Sequence, residues 1–146
     1  MEQANTTSDE NSESAAMNGT RAIVACTDPE IREHLTVMLS EFGVEAALSE
    51  TFEDAVALLA AQQVAMVFVQ PQFGEGSFRD VLRAADGPRS RVPVIVCSEF
   101  YDKELYIEAM SLGAFDYLAF PYRREEVAWV VQNALTKSSL AKSAHA

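Results

Sequence analysis

Six consecutive apolar residues, Val64–Val69, run straight into Gln70-Pro71, and this stretch constrains the fold more sharply than any other. The run is short, contains three valines and is cut off by a turn signal. It is expected to be a β-strand buried on both faces. Strands of that kind lie inside parallel sheets covered by helices. Open α/β sheets bind ligands beyond the carboxyl ends of their strands. Gln70 therefore stands where chemistry is expected, yet its side chain is a neutral amide. An amide is no nucleophile and is a weaker partner for a hard cation than a carboxylate.

The segments around this strand alternate. Arg21–Cys26 reads as a first strand. Asp28-Pro29 supplies an N-cap and a first-turn proline. Ile31, Leu35, Met38, Leu39 and Phe42 then recur at helical spacing, and Gly43 ends the helix. Val44–Leu48 is a second strand. Thr51 and Asp54 open a helix whose core face is Phe52, Ala55, Val56 and Leu59. After the Val64–Val69 strand, Phe73–Ser77 reads as a loop. Phe78, Val81, Leu82 and Ala85 mark a third helix, and Asp86-Gly87-Pro88 breaks the chain. Val92–Cys97 is the fourth strand, Asp102–Leu112 the fourth helix, and Gly113 its stop. Asp116–Phe120 is the fifth strand. Arg123–Leu135, or slightly beyond, is the fifth helix, with Val127, Val130, Val131, Ala134 and Leu135 facing the core.

Strands alternating with helices imply right-handed βαβ crossovers and a parallel sheet. A five-stranded sheet of this size favours the flavodoxin-like order 2-1-3-4-5, with helices on both faces. Met1–Gly19 lacks periodicity and large apolar residues and is expected to be a disordered tail. Residues 20–136 are expected to form the domain, and 137–146 a C-terminal tail or the start of a linker.

The chain of 146 residues suffices for one core. Its net charge of −11 argues against binding nucleic acid or anionic membranes, because phosphate neutralisation requires Lys and Arg. No apolar run is long enough to span a bilayer, and the acidic start lacks the apolar core of a secretion signal. A cytoplasmic protein is expected. Cys26 and Cys97 both end strands and read as small core residues. With one strand between theirs, their Cα atoms would lie roughly 10 Å apart, beyond the reach of a disulfide.

From about Thr20 to Thr136 the chain resembles the receiver domain of bacterial two-component response regulators. Asp28-Pro29-Glu30-Ile31-Arg32, Val92–Ser98, and Gly113–Leu118 leading to Pro121 carry the resemblance. In that family two acidic residues after strand one hold Mg²⁺. An Asp after strand three accepts a phosphoryl group, a Thr or Ser after strand four hydrogen-bonds it, and a Lys before a Pro pairs with it. Carried over position by position, the acidic pair falls on Cys26 and Thr27, the acceptor on Gln70, the hydroxyl on Ser98 and the lysine on Phe120. Only Ser98 matches. Asp28 matches a third, variable acidic position, and the Pro71–Gly76 loop is shorter than usual.

Phosphoryl transfer to a carboxylate needs a nucleophilic oxygen, a divalent cation and a neutralising side chain. The resemblance therefore implies a degenerate receiver, with no catalytic residue, cofactor or metal expected. It also implies a switch-like pair, Ser98 and Tyr117, and a cis bond at Phe120-Pro121.

The output side of such a domain is the fourth helix, fifth strand and fifth helix. At 100° per residue, the apolar arc of helix four covers about 220°, wider than one core face requires. Trp129 lies about 160° from the core stripe of helix five by the same period. Tyr106, Met110 and Trp129 are therefore expected on an interface. The expected function is a phosphorylation-independent protein–protein or dimerisation module whose partner is a second copy or another signalling protein. Two alternatives are regulation by a Ser/Thr kinase at Ser98, Thr27 or another hydroxyl, and a small ligand in the emptied acidic pocket. A flavin site lacks its Ser/Thr/Gly-rich phosphate loop after strand one. A dedicated enzyme lacks an activated nucleophile: the pattern places neither His34 nor His145 at the carboxyl edge, and Cys26 has no neighbouring base.

Overall fold

The structure is a computed structural model that describes residues 19–61, 64–87 and 90–145. Five parallel strands form one sheet: β1 (Thr20–Ala25), β2 (Val44–Ser49), β3 (Met66–Val69), β4 (Val94–Ser98) and β5 (Asp116–Ala119). Their order is β2-β1-β3-β4-β5, as expected. Five helices connect and follow them: α1 (Pro29–Glu41), α2 (Phe52–Ala60), α3 (Phe78–Ala85), α4 (Lys103–Ser111) and α5 (Arg124–His145).

Alternate strand residues feed two separate cores. Ala22, Val24, Phe68, Ile95 and Leu118 pack with α1 and α5. Ile23, Ala25, Val67, Val69 and Val96 pack with the opposite layer, including Ala55, Val81 and Ala109. All four residues of β3 are buried, so both of its faces are covered. This explains why its sequence is a continuous apolar run rather than an alternating one.

Local chemistry positions the helices. The Asp28 carboxylate accepts from the N–H groups of Glu30 and Ile31 at the start of α1. Such a cap typically contributes about 1 kcal/mol. Thr51 caps α2, Asp102 caps α4, and Ser77 with Asp80 forms a reciprocal capping box on α3. Gly43 and Gly113 follow α1 and α4 at φ +79° and +103°, conformations that side-chain-bearing residues adopt at a cost.

Three differences from the sequence reading stand out. The expected loop Phe73–Ser77 is a small hairpin in which Gln72–Phe73 pairs antiparallel with Gly76–Ser77. Gly74 turns it at φ +61°, and the fully buried Phe73 anchors it. Asp86–Gly87 likewise pairs with Ser90–Arg91, although Pro88 of the expected break lies outside the described residues. Two-residue arms are too short to show any period in sequence. Finally, α5 does not stop near residue 136: the tail or linker expected from Lys137 is helical through His145. No glycine or proline follows Pro121 to end it. Apart from Gly19, the expected disordered tail Met1–Gly19 lies outside the described residues.

Candidate functional site

The parallel order brings the ends of β1, β3, β4 and β5 to one edge, and the predicted site residues gather there. Gln70 follows β3, and its backbone N–H donates to the Ala25 carbonyl at 3.1 Å, continuing the ladder by one residue. Its side-chain oxygen accepts two backbone N–H groups, from Thr27 at 2.6 Å and Asp28 at 2.9 Å. The amide therefore fastens the end of β3 to the β1–α1 loop.

The other donors in this loop are poor for a hard cation. Cys26 is fully buried, and burial pushes its thiol up to about 12 against the opposing charge of Arg32. It is a neutral thiol at pH 7. Thr27 is exposed and contributes an uncharged hydroxyl. The Asp28 carboxylate caps α1. A hard divalent cation prefers several charged oxygens. Among the described residues, no cluster of three or more His, Cys, Asp or Glu side chains is suited to a metal. The Mg²⁺ ion that receiver domains hold at the matching positions does not fit this donor set.

The position onto which the resemblance carries the family's lysine is Phe120, an aromatic. The Phe120–Pro121 bond is cis. The Phe120 ring meets His34 of α1 edge-on at 5.3 Å and Tyr122 edge-on at 5.4 Å. The pattern had not placed His34 at this edge, but one face of α1 turns its ring onto Phe120. The His34 ring also lies against Tyr122, with Nε2 3.4 Å from the Tyr122 carbonyl oxygen.

Tyr122 is a residue the sequence reading missed. It is buried, and its hydroxyl donates to the Ser98 carbonyl at 3.3 Å. Burial, followed by the neighbouring Cys97, drives its phenol pKa upward. Burial also holds the Cys97 thiol well above its usual value. Both cysteines are free and buried. The signal for Tyr122 was present in the sequence, as an aromatic directly after the proline that follows the last strand.

At the end of β4, the Ser98 hydroxyl donates to the Phe100 carbonyl at 2.6 Å and is largely buried. The Tyr117 hydroxyl donates to the same carbonyl at 3.4 Å and accepts from the Asp102 N–H at 3.2 Å. Ser98 and Tyr117 thus meet through Phe100, on a loop that also starts α4. The Tyr117 ring is inward and packs edge-on against Tyr106 at 5.7 Å and Tyr101 at 6.0 Å.

On the outer surface Trp129 is 59% exposed, Tyr106 38% and Met110 37%. Phe100 and Tyr101, which the sequence reading passed over, are more exposed still. Arg79 of α3 pairs through two contacts with Glu108 of α4, one of them at 2.7 Å, and Arg79 holds the Glu108 carboxyl below its usual pKa.

At the edge of the sheet, the Asp116 carboxylate accepts the Tyr117 N–H at 2.7 Å. Partial burial raises its pKa despite that bond, and the nearby Glu126 charge adds to the rise. A carboxyl raised on folding favours the native state only while it is protonated, so its stabilising contribution disappears as pH rises through the folded value. Asp116→Asn keeps an oxygen for the Tyr117 N–H. It is expected to raise Tm at pH 7 and to leave Tm little changed near pH 3, as read by thermal melts at both values.

A 2-1-3-4-5 parallel sheet whose strand ends gather loop side chains at one edge defines a flavodoxin-like doubly wound α/β domain. The response regulator receiver domain family matches residues 22–132, and the chain belongs to it. As such it is a receiver domain of two-component signalling. It is 25% identical over 122 residues to the regulatory protein AtoC of Escherichia coli (strain K12), covering 84% of this chain and 26% of that protein. It is 24% identical over 119 residues to the response regulator protein PilR of Pseudomonas aeruginosa, covering 82% and 27%. The chain thus spans about a quarter of the length of these relatives. A response regulator receiver domain protein from Clostridium thermocellum superposes with a TM-score of 0.73 at 21% identity, covering 84% of this chain and 98% of that one. No helix among the described residues is long and apolar enough to cross a membrane.

Proposed function

We propose that this chain is a degenerate receiver, a signalling module rather than an enzyme, that works as a protein-interaction or dimerisation unit without taking phosphate at the usual position. Gln70 carries the reading. Where an acceptor carboxylate would stand, an amide oxygen accepts the N–H groups of Thr27 and Asp28, just before α1. The neutral Cys26 thiol and the Phe120 ring support it, because they replace a cation ligand and a neutralising ammonium. The α4–β5–α5 face is the output surface in this reading, with Tyr106, Met110 and Trp129 as its anchors. Phosphorylation of Ser98 by another kinase is disfavoured, because that hydroxyl is largely buried and bonded to Phe100. A cytoplasmic location fits the same reading, as does the lack of direct nucleic-acid contact by this acidic chain.

The test is a titration with Mg²⁺ and beryllofluoride, an acyl-phosphate mimic, followed by amide NMR and Trp129 fluorescence. No saturable response is expected at millimolar ligand. Saturable shifts at Asp28, Gln70 and Ser98 would withdraw the proposal.

A further inference from the structure

We propose that the free edge of β2 joins the same edge of a second copy of this chain, antiparallel and with Ala46 on the two-fold axis, so that one sheet runs through both chains. This contact lies at the opposite edge of the sheet from the α4–β5–α5 face and leaves that face open to another partner.

The order β2-β1-β3-β4-β5 leaves two edges. The β5 edge is the shorter, and the Asp116 carboxylate already takes its Tyr117 N–H. The β2 edge, Val44–Ser49, lacks the usual guards against pairing. It has no proline and no lysine, and its single charge, Glu45, is turned to Arg21 at 3.7 Å. Leu48 is instead 52% exposed there, and so is Val37 of α1, which lines the same groove.

Strand register fixes which β2 groups face outward. Arg21 and Ala25 turn their carbonyls to the β3 side. Backbone groups alternate sides along a strand, so Ala22 and Val24 turn theirs to β2. Ala22 stands beside Ala46, and in a parallel ladder it bonds the two residues that flank its partner, Glu45 and Ala47. Val44, Ala46 and Leu48 therefore point their N–H and C=O groups away from the sheet, and no loop backbone among the described residues takes them.

Two-fold symmetry makes a strand meet itself antiparallel. With Ala46 on the axis, the two Ala46 residues face each other and Val44 faces the second copy's Leu48. Each such pair exchanges both of its N–H···O=C bonds. The exposed leucine is then covered by valine, two small side chains meet at the axis, and Glu45 falls opposite the second copy's Ala47 rather than another charge. The two Glu45 side chains lie diagonally across the axis, each with its own Arg21. A register shifted by two residues leaves an outward residue of each β2 outside the pairing, so the strand is complementary to itself in this register. Glu30 and Glu33 line the groove of Leu48 and have no ion-pair partner among the described residues. Their like charges oppose the approach of two copies, and salt should ease it.

The test follows amide hydrogen exchange and sedimentation of the whole chain over a range of concentration. In dilute protein the amides of Val44, Ala46 and Leu48 are expected to exchange fast, and those of Ala47 and Ser49 slowly. Toward about millimolar protein the three outward amides are expected to slow at least about tenfold, in step with a dimer seen by sedimentation and strengthened by added salt. Leu48→Lys should weaken that dimer at least about tenfold. Ala46→Pro should abolish it, because the proline removes only an outward N–H, which edge strands tolerate. Leu48→Lys changes an exposed side chain, so it reads the edge even if the proline variant does not fold. Tyr106→Ala is expected to leave the dimer unchanged. A dimer that Tyr106→Ala abolishes and Leu48→Lys ignores would overturn the inference and place the contact on α4–β5–α5. A chain that stays monomeric at about millimolar concentration would overturn it and leave the output-surface reading standing. Slow exchange of the three outward amides at every concentration would mean that the chain covers its own edge, which also overturns it.

Discussion

Replacing Gln70 by leucine is expected to lower the unfolding free energy by about 1 to 3 kcal/mol, with little change in the denaturant m-value. Leucine keeps approximately the volume of the side chain and removes its oxygen. The N–H groups of Thr27 and Asp28 then lose the acceptor they share at 2.6 and 2.9 Å. Thr27 is exposed, so water can replace part of its bond, and Asp28 is only partly covered. The loss should therefore fall short of that for a fully buried pair. Gln70→Glu separates hydrogen bonding from charge. It restores an acceptor and places an anion at the head of α1, where the helix dipole favours it. It also faces Asp28, whose carboxylate caps the same helix. The glutamate variant should recover most of the leucine loss, as measured by chemical denaturation of the three proteins side by side. If Gln70→Leu is as stable as the parent, the amide is not a structural tie.

The backbone plan was legible in the sequence because its signals are local and repeated. Val64–Val69 announced a doubly covered strand, and Met66–Val69 proved to be the β3 core with Val64 buried beside it. Asp28-Pro29 and Gly43 bracketed α1 almost to the residue. The expectation that Gln70 and Phe120 stand in place of an acceptor and a cation comes from residue type alone, set against the resemblance.

What those residues do instead was not legible. That the Gln70 oxygen would reach two N–H groups more than 40 positions away depends on strand register. That Phe120 would face His34 depends on how α1 is rotated over the sheet. The pairing of Asp116 with the Tyr117 N–H depends on which side of β5 lacks a neighbouring strand. Periodicity assigns a residue to a face but carries no information on these cross-element distances.

The largest single effect is expected from Cys26→Asp, which restores a carboxylate at a position where the family holds Mg²⁺. Cys26 has no exposed surface and sits in the core cluster with Cys97, Tyr122 and Phe68. Burial that already pushes a thiol up to about 12 will penalise an ionised carboxylate at least as strongly. Among the described residues Arg32 is the one cation whose charge acts on this position, and it is bonded to Glu50 at 3.1 Å. An uncompensated buried charge of this kind costs about 3 to 5 kcal/mol. The sign of the pH dependence follows from the raised carboxyl pKa. The variant is closest to the parent at low pH, where the acid is neutral, and the deficit grows as pH rises through its folded value. Thermal melts from pH 4 to pH 8 should therefore diverge between variant and parent. A cation site would behave differently, because a metal that binds only the folded state adds stability in proportion to its occupancy. Millimolar Mg²⁺ is expected to leave the variant at pH 7 unrescued: Thr27 still supplies no charge, Asp28 still caps α1, and Gln70 still lacks a carboxylate. If Mg²⁺ instead restores the melting temperature, the loop already has the geometry of a metal site, and the single thiol at position 26 is all that keeps the cation out.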